Sequence, residues 1–449
     1  MNVEIQKAAA LEQTHLLTFY DQLPEERQRH LLQQIAAIDI PLFQQQQMQV
    51  KRPKDLVYSA LEPFRDFTRK GNLEDEQRGR ELLTQGQVGC LVIAGGQGTR
   101  LRFEGPKGMY PISVIQHKTL FQLVAEKTRA ASQQAGCDLP LAIMTSPLNH
   151  VETVNYFEQH LYFGLKRTQV TFFSQRLLPL LDEEGNLFLE DVDAIAQGPD
   201  GNGNALKGFS ESGLLQKWHA QGIRYINFVL IDNPLADPFD AELIGFHARE
   251  GNDITVKCTS RRDIHEKVGV LVKSAGKVAV VEYSELSDEE RKAVYEDGML
   301  KHVCANLSLF CFSLDAVREI VKHEMPLHIA HKAVKYADKA GHVVQAVQPM
   351  AWKFERFIFD VLPLVEHVKA LLYPRAECFA PLKNFMGPDS PETVQAALQA
   401  SDRRVIEKIT GQQAPEQPFE LAQEFYYPTS ELLKKWDGRP IPTNNYIEA

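Results

Sequence analysis

The chain has 449 residues, of which 44% are hydrophobic and 24% charged, a balance typical of a soluble globular protein with room for two or three domains. Its formal net charge of -10 at pH 7 argues against general nucleic-acid binding, which requires a basic surface. The first residues lack the apolar run of a signal peptide, and no stretch approaches the roughly 18 apolar residues of a membrane span. We therefore expect a cytoplasmic protein that binds neither nucleic acid nor membranes.

The six cysteines predict free thiols rather than disulfides or a zinc site. No pair has Cys-x-x-Cys spacing, and cysteines and histidines are not grouped as zinc ligands would be. Isolated thiols are typical of a reducing compartment, which agrees with a cytoplasmic location. The cysteines are Cys90, Cys137, Cys258, Cys304, Cys311 and Cys378.

The first region, residues 1–86, is predicted to form an accessory helical layer. Apolar residues recur in it at helical spacing, as at Leu31, Leu32 and Ile35. Pro24, followed by two glutamates, is typical of a helix start.

The central region, residues 87–385, alternates short apolar runs with helical segments. This alternation predicts an α/β fold with a doubly wound, mostly parallel sheet. Residues 386–449 are richer in proline and polar residues and are expected to form a small C-terminal domain or arm. The predicted strands are Val88–Ala94, Leu139–Met144, Val170–Phe173, Tyr225–Ile231 and Ile254–Cys258, with an antiparallel hairpin of Val268–Val272 and Lys277–Tyr283, and the predicted helices include Leu120–Gln134 and Gly213–Gln221.

A glycine-rich turn follows the first of these strands. Gly95, Gly96 and Gly98 allow backbone N–H groups to approach a phosphate without hindrance from side chains. Arg100 and Lys107, which follow within the same segment, can then bind phosphate oxygens. The spacing matches neither the dehydrogenase fingerprint nor the P-loop. A tight turn with a surface arginine is the alternative, but the two cations favour a nucleoside triphosphate site.

The turn and several later motifs resemble the eukaryotic-type UDP-N-acetylglucosamine pyrophosphorylases, within the wider UDP-sugar pyrophosphorylase family. The resemblance extends over roughly residues 11–384. It implies a doubly wound nucleotide-binding domain with additions at both ends, and direct transfer of a uridylyl group from UTP to a sugar 1-phosphate. The motifs begin with Ala94-Gly-Gly-Gln-Gly-Thr-Arg100-Leu and Pro106-Lys-Gly-Met-Tyr110, and continue through Lys118-Thr-Leu-Phe-Gln122, Met144-Thr-Ser146, His160-x-Tyr-Phe-Gly-Leu165, Phe172-Phe-Ser-Gln175, Pro199-Asp-Gly-Asn-Gly203, Asp232-Asn233, Val281-Glu-Tyr-Ser-Glu285, Phe357-Ile-Phe-Asp360 and Pro381-Leu-Lys-Asn384.

The resemblance also implies which groups handle the phosphates and the metal. Arg100, Lys107 and Lys383 would act on the triphosphate and the developing pyrophosphate, although a lone loop lysine is as often a surface residue. Asp232, at the carboxyl end of a predicted parallel strand, would bind Mg²⁺. Without the resemblance, Asp232 and the residues after it would be expected to form only a turn.

The base and the sugar have their own implied contacts. Gln175 carries both a donor and an acceptor, which suits the edge of uracil, and the backbone at Gly95, Gly96 and Gly201 would assist it. Without the resemblance, a glutamine after a strand is usually an exposed polar residue, and a glutamate in a hairpin strand usually faces solvent. The implied sugar contacts are Asn202, Gly269, Glu282 and Asn306.

The chain departs from the family pattern at several positions. Arg102 and its neighbours stand where a glycine is expected, Asn204 and Ala305 replace glycines, and Arg356 replaces a lysine. Most of these changes surround the sugar motifs, so glucose or galactose 1-phosphate remains an alternative substrate to N-acetylglucosamine 1-phosphate. A UDP-sugar-binding regulator without catalysis is a second alternative, and a nicotinamide oxidoreductase is disfavoured by the glycine spacing. The oligomeric state is not indicated.

Overall fold

The computed structural model of the chain describes residues 2–51 and 61–449, which fall into two compact units. The first unit comprises residues 2–51, Arg176–Asn204 and Met325–Phe357. The second comprises residues 61–175, Ala205–Glu324 and Ile358–Ala449. In these described residues, every helix is too short or too polar to cross a lipid bilayer.

The first unit packs three helices against short antiparallel strands. Helix Glu25–Ala36 begins directly after Pro24, as the sequence predicts, and carries two glutamates in its first turn. Its buried residues Leu31 and Ile35 share one core with residues of the strands, among them Leu181. The other helices are Val3–Ala10 and Ile40–Lys51, and the strands are Leu177–Pro179, Leu181–Asp182, Leu189–Asp191, Ala194–Ile195, Gln197–Pro199, His328–Lys332, Lys335–Ala337, Val343–Gln345 and Ala351–Glu355.

The second unit is built on an eleven-stranded sheet. All five predicted strands and the predicted hairpin are present in it, with ends that shift by a few residues. The strands are β1 Glu62–Pro63, β2 Phe67–Arg69, β3 Val88–Ile93, β4 Leu141–Thr145, β5 Val170–Ser174, β6 Tyr225–Leu230, β7 Ile254–Ser260, β8 Val270–Ser274, β9 Lys277–Val281, β10 Cys304–Ser313 and β11 Val368–Tyr373.

The sheet is mostly parallel, as predicted. Its order is β2-β11-β7-β10-β6-β3-β4-β5, and only β10 runs against its two neighbours on this path. The hairpin of β8 and β9 joins the sheet beside β10, and β1 pairs with β8. β1 and β2 lie in the region 1–86, which was predicted to be helical. They were not predicted, because strands of two or three residues are too short to show a period.

Helices cover this sheet and contribute to its core. The predicted helix at Leu120 is present as Leu120–Ala135, where Thr119 caps the first turn and Gly136 ends the helix in a left-handed conformation. The others are Leu73–Thr84, His150–Gln159, Ala205–Glu211, Leu214–Ala220, Ala241–Glu250, Asp288–Lys292, Leu314–Ile320, Arg375–Cys378, Pro391–Thr410 and Ser430–Trp436.

The C-terminal residues carry a small core of their own and are tied to the sheet by a buried cation. The core includes Phe425 and Trp436. Lys118, which is 5% exposed, donates to Glu126 at 2.7 Å and to the Tyr446 hydroxyl at 3.0 Å. A buried charge is retained when it has such partners.

Candidate active site

Four adjacent parallel strands, β3 to β6, end at one edge of the sheet. The predicted residues Gly95, Gln175 and Asp232 follow β3, β5 and β6 at this edge. Because β10 is antiparallel to β6, its first residues, including Asn306, lie at the same edge. Ligands of open α/β sheets bind at the carboxyl ends of the strands, so the fold brings these residues to the expected place.

The glycine turn folds back on itself after β3. The Gly98 N–H donates to the Gly105 carbonyl at 2.9 Å, and the Lys107 N–H donates to the Gly96 carbonyl at 3.0 Å. Gly96 is exposed, and no described atom lies within 4 Å of the position that a Cβ would take on it. The turn thus returns Lys107 to the strand end and leaves open space beside the Cα of Gly96.

Lys107, Asp232 and the segment before Lys383 converge at this edge. The Lys107 Nζ lies 3.6 Å from the Asp232 Oδ2, and each side chain is 17% exposed. The same Nζ lies 3.5 Å from the Leu382 carbonyl, while the Leu382 N–H donates to the Asp232 backbone carbonyl at 2.7 Å. Lys383 therefore directly follows Leu382, whose backbone bonds to both Lys107 and Asp232.

Arg100 lies on a short 3-10 turn, Thr99–Leu101, next to the glycines. Its guanidinium is exposed and forms no ion pair with an acid in residues 2–51 or 61–449. Lys383 is exposed as well. These two cations are available to an anionic ligand, whereas Lys107 is already shared with Asp232.

Gln175 is held against the glycine turn. Its N–H donates to the Thr145 carbonyl at 2.8 Å, which extends the pairing of β4 and β5. A Cβ on Gly95 would lie 2.4 Å from the Gln175 Nε2, so the glycine makes room for this amide. Gln175 and Gly95, both predicted to contact the base, therefore lie side by side at the sheet edge.

Three of the predicted sugar residues form a second cluster at the start of β10. The Asn306 N–H donates to the Gly269 carbonyl at 2.8 Å, and a Cβ on Gly269 would lie 3.0 Å from the Glu282 Oε1. β9 ends at Val281, so Glu282 stands just beyond the strand in which it was predicted.

A β-bulge sets the direction of Asn306. In the pairing of β10 with β7, Lys257 pairs with Leu309, but the next residue, Cys258, pairs with Asn306. The register therefore shifts at this point, and β10 bulges between Asn306 and Leu309. Ser308, inside the bulge, has a φ of 54°, and its N–H donates to the Asn306 Oδ1 at 3.1 Å. Bulges redirect side chains in this way next to active sites.

Gly201 and Asn202 belong to the first unit, whereas the other predicted site residues belong to the second. Their loop is fixed by a buried ion pair, in which the Arg356 Nη1 donates to the Asp200 Oδ1 at 2.7 Å. Burial raises the pKa of Asp200, and Arg356 opposes this rise. A Cβ on Gly201 would lie 2.4 Å from the Arg356 carbonyl, so this glycine makes room for the protein's own backbone. Arg356, which departs from the family pattern, is thus a structural partner of the loop.

Two buried asparagines that sequence reasoning did not single out hold the site together. Asn149, 1% exposed, donates to the carbonyls of Ala94 at 3.0 Å and Gly96 at 3.3 Å. Asn233 donates to the Cys378 carbonyl at 2.8 Å and accepts from the Ala380 N–H at 3.0 Å. The only available signal was that each is a polar residue shortly after a buried strand.

A buried lysine holds the segment that follows Asp232. The Lys127 Nζ donates to the carbonyls of Pro234 at 2.7 Å and Ala236 at 3.0 Å. Burial lowers the pKa of Lys127 to about 8. Lys127 also lines a cavity of about 410 Å³, together with Asp402, whose pKa burial raises to about 7.

Comparisons with known proteins identify the family. Residues 41–388 match the family described as UTP–glucose-1-phosphate uridylyltransferase. The UDP-N-acetylglucosamine pyrophosphorylase of Saccharomyces cerevisiae is 36% identical over 355 residues, 76% of this chain and 74% of that protein. The UDP-N-acetylhexosamine pyrophosphorylase-like protein 1 of Xenopus tropicalis is 36% identical over 340 residues, 73% of this chain and 66% of that protein.

A solved structure extends the likeness to the whole fold. The uridine diphosphate N-acetylglucosamine pyrophosphorylase from Trypanosoma brucei, solved in complex with an inhibitor, has a TM-score of 0.82 at 26% identity. The match covers 100% of this chain and 98% of that one. The fold predicted from strand–helix alternation is therefore confirmed, and the chain belongs to the UTP–glucose-1-phosphate uridylyltransferase family.

Proposed function

We propose that this protein joins UTP to N-acetylglucosamine 1-phosphate, forming UDP-N-acetylglucosamine and pyrophosphate. The observation that carries the proposal is the convergence of an open glycine turn, Lys107 and Asp232 at one sheet edge, with the two side chains 3.6 Å apart. Family membership supports the reaction, and the names of the yeast and trypanosome relatives support the sugar.

The reaction is a direct displacement at phosphorus. A phosphate oxygen of the sugar phosphate attacks the α-phosphorus of UTP, and the bond from that phosphorus to the oxygen of the departing pyrophosphate breaks. No proton has to move, so catalysis consists of positioning and charge neutralisation. Arg100, Lys107 and Lys383 are the proposed cations, because they follow or contact the turn and the acid described above.

Mg²⁺ is the proposed metal, held by Asp232. The carboxylate is a hard oxygen ligand, partly exposed at the ligand-binding edge. Among the described residues, no three His, Cys, Asp or Glu side chains form a metal cage. Mg²⁺ commonly takes one or two carboxylates and completes its shell with phosphate oxygens and water, so Asp232 fits it. When bound, the ion would neutralise phosphate charge.

The remaining predicted residues are proposed to select the base and the sugar. The Gln175 amide, packed on Gly95, would pair with the edge of uracil. Glu282 and the Asn306 amide would bind the hydroxyl and acetamido groups of the sugar, with Gly269 leaving space beside them. The resemblance to the family is the support for the two remaining contacts, Gly201 with the nucleotide and Asn202 with the sugar.

We also propose a cytoplasmic location. All six cysteines are free thiols, which supports a reducing compartment.

The test is release of pyrophosphate from UTP and Mg²⁺ with a panel of N-acetylglucosamine, glucose and galactose 1-phosphates. We expect the highest kcat/KM with the N-acetylated sugar. A higher kcat/KM with glucose or galactose 1-phosphate would overturn the sugar assignment. Tight UDP-sugar binding without release from any sugar phosphate would overturn the reaction itself.

A further inference from the structure

Arg102 has a backbone conformation that arginine rarely adopts. It ends the 3-10 turn that carries Arg100, with φ 56° and ψ 34°, in the left-handed region. A Cβ is crowded there, and glycine would take the same conformation without strain. Strain of this kind at a ligand-binding edge is a reason to ask what the side chain does.

The Arg102 side chain reaches an aromatic ring from a distant part of the sequence. Its guanidinium carbon lies 4.3 Å from the centroid of the Phe385 ring. This distance is within the range of an attractive cation–π interaction. Phe385 is 37% exposed, so the ring projects from a loop instead of packing in the core.

The loop that carries Phe385 is closed at its neck. The N–H groups of Lys383 and Asn384 both donate to the Asp389 carbonyl, at 2.8 and 3.1 Å. Asn384 also donates from its side chain to the Pro388 carbonyl at 2.7 Å. Residues 383–389 thus form one compact loop, with Phe385 near its tip.

This loop is attached to the active-site edge at two points. At its base, the Leu382 N–H bonds to the Asp232 carbonyl at 2.7 Å, and the Lys107 Nζ lies 3.5 Å from the Leu382 carbonyl. At its tip, Phe385 receives Arg102. Lys383 stands between the two attachments.

We propose that Arg102 is a positioning residue, which acts through Phe385 to hold the 383–389 loop against the glycine turn. The contact fixes Lys383 relative to Arg100, so that both cations face the two anionic substrates together. This inference rests on the proposed function. Arg102 is one of the positions at which the chain departs from the family pattern.

The decisive variant is Arg102→Gly, which removes the guanidinium and keeps the backbone conformation. We expect kcat/KM for UTP to fall about tenfold, because misplacing a substrate-binding group is costly even without losing it. The melting temperature should change little, since the relieved backbone strain offsets the lost cation–π contact and the greater freedom of glycine in the unfolded chain. Arg102→Lys, which retains a cation for the ring, should recover most of the kcat/KM.

Phe385→Leu removes the other half of the contact, and its kcat/KM for UTP should fall by the same factor as that of Arg102→Gly. The double variant should be no worse than either single one, because the two residues act as one contact. Arg439→Gly is the matched control, since that arginine stacks on Trp436 in the C-terminal region at 4.8 Å. Wild-type kcat/KM for Arg102→Gly or Phe385→Leu, or losses that multiply in the double variant, would overturn the proposal.

A measurement that does not depend on enzyme activity distinguishes the positioning role of Arg102 from the proposed function. Cleavage after Lys383 by the lysine-specific protease Lys-C, followed by mass spectrometry on protein without substrates, reports how firmly the loop is held. Arg102→Gly and Phe385→Leu should speed this cleavage several-fold, and Arg439→Gly should not. An unchanged cleavage rate in both Arg102→Gly and Phe385→Leu would contradict the positioning role. A wild-type enzyme that is inactive with every sugar phosphate would contradict only the proposed reaction.

Discussion

Two glycine-rich turns of this protein look alike in sequence and differ in what surrounds them. At Gly96, in the turn after β3, no described atom lies within 4 Å of the position of a Cβ. At Gly203, in the loop of the first unit, a Cβ would lie 2.6 Å from the backbone of both Arg356 and Phe357. The space beside the first glycine is open, whereas the second glycine lets two chain segments touch.

The comparison teaches that a glycine-rich motif has two distinct physical uses. Close approach to a ligand and close approach to the protein's own backbone both exclude a Cβ. The two uses predict different failures on mutation. A substitution at Gly96 should reduce catalysis with little loss of stability, whereas a substitution at Gly203 should lower the stability of its unit.

The largest effect is expected from Asp232→Ala, which removes the carboxylate beside the open turn. We expect kcat to fall by roughly a thousandfold or more, because the proposed metal and the orientation of Lys107 are lost together. The melting temperature should change little, since the side chain is not in the core. Pyrophosphate release and thermal melting measure the two quantities. Asp315→Ala, an exposed acid, is the control, and near-normal turnover of Asp232→Ala would remove this residue from the mechanism.

The next effect tests the comparison directly, with the same substitution in each turn. Gly96→Ala should lower kcat/KM about ten- to a hundredfold and leave the melting temperature unchanged, because only a ligand meets the new methyl group. Gly203→Ala should lower stability by about 1–3 kcal/mol, because its methyl group meets backbone atoms that cannot move freely. Urea unfolding measures the stability of each variant, and initial rates measure its kcat/KM. If Gly96→Ala destabilised the protein as much as Gly203→Ala does, the two turns would not differ as described.

A smaller effect is expected from Gln175→Ala. The preference for UTP over CTP should drop by about tenfold, because one pair of hydrogen bonds to the base is worth roughly that factor. The measurement is the ratio of kcat/KM for the two nucleotides. Gln169→Ala serves as the control, since that amide bonds to Ser132 and the Leu139 carbonyl instead. An unchanged ratio in Gln175→Ala would mean that the base is recognised elsewhere.

The smallest kinetic effect is expected from Asp402→Asn, which lies outside both turns. Burial raises the pKa of Asp402 to about 7 from its usual 3.8, so the unfolded chain releases this proton first. The folded state therefore loses stability as pH rises from about 4 to 7, by up to about 4 kcal/mol. The variant should show a flatter pH dependence of melting temperature and an unchanged kcat/KM. An equally steep dependence in the variant would assign the titration to another group.

The sequence predicted the parallel strands β3 to β7, which are marked by short, mostly apolar runs. β3 and β6 are examples, buried from both sides of the sheet. β1, β2, β10 and β11 were not predicted: β1 and β2 are too short to carry a period, and in β10 and β11 polar residues such as Ser308 and Lys369 interrupt the apolar runs. The bulge at Ser308 was equally invisible, since nothing in the local pattern marks an extra residue in a strand.

The sequence by itself determined which chemical groups exist and on which local elements they stand: a glycine turn after a strand, cations close behind it, and an acid at another strand end. Only the tertiary structure decided that Lys107 pairs with Asp232, that the Leu382 N–H donates to the Asp232 backbone carbonyl, and that Arg102 reaches Phe385. Helical and strand periods arise from neighbours along the chain, whereas these contacts join residues more than a hundred positions apart, and only the packing of the sheet brings them together.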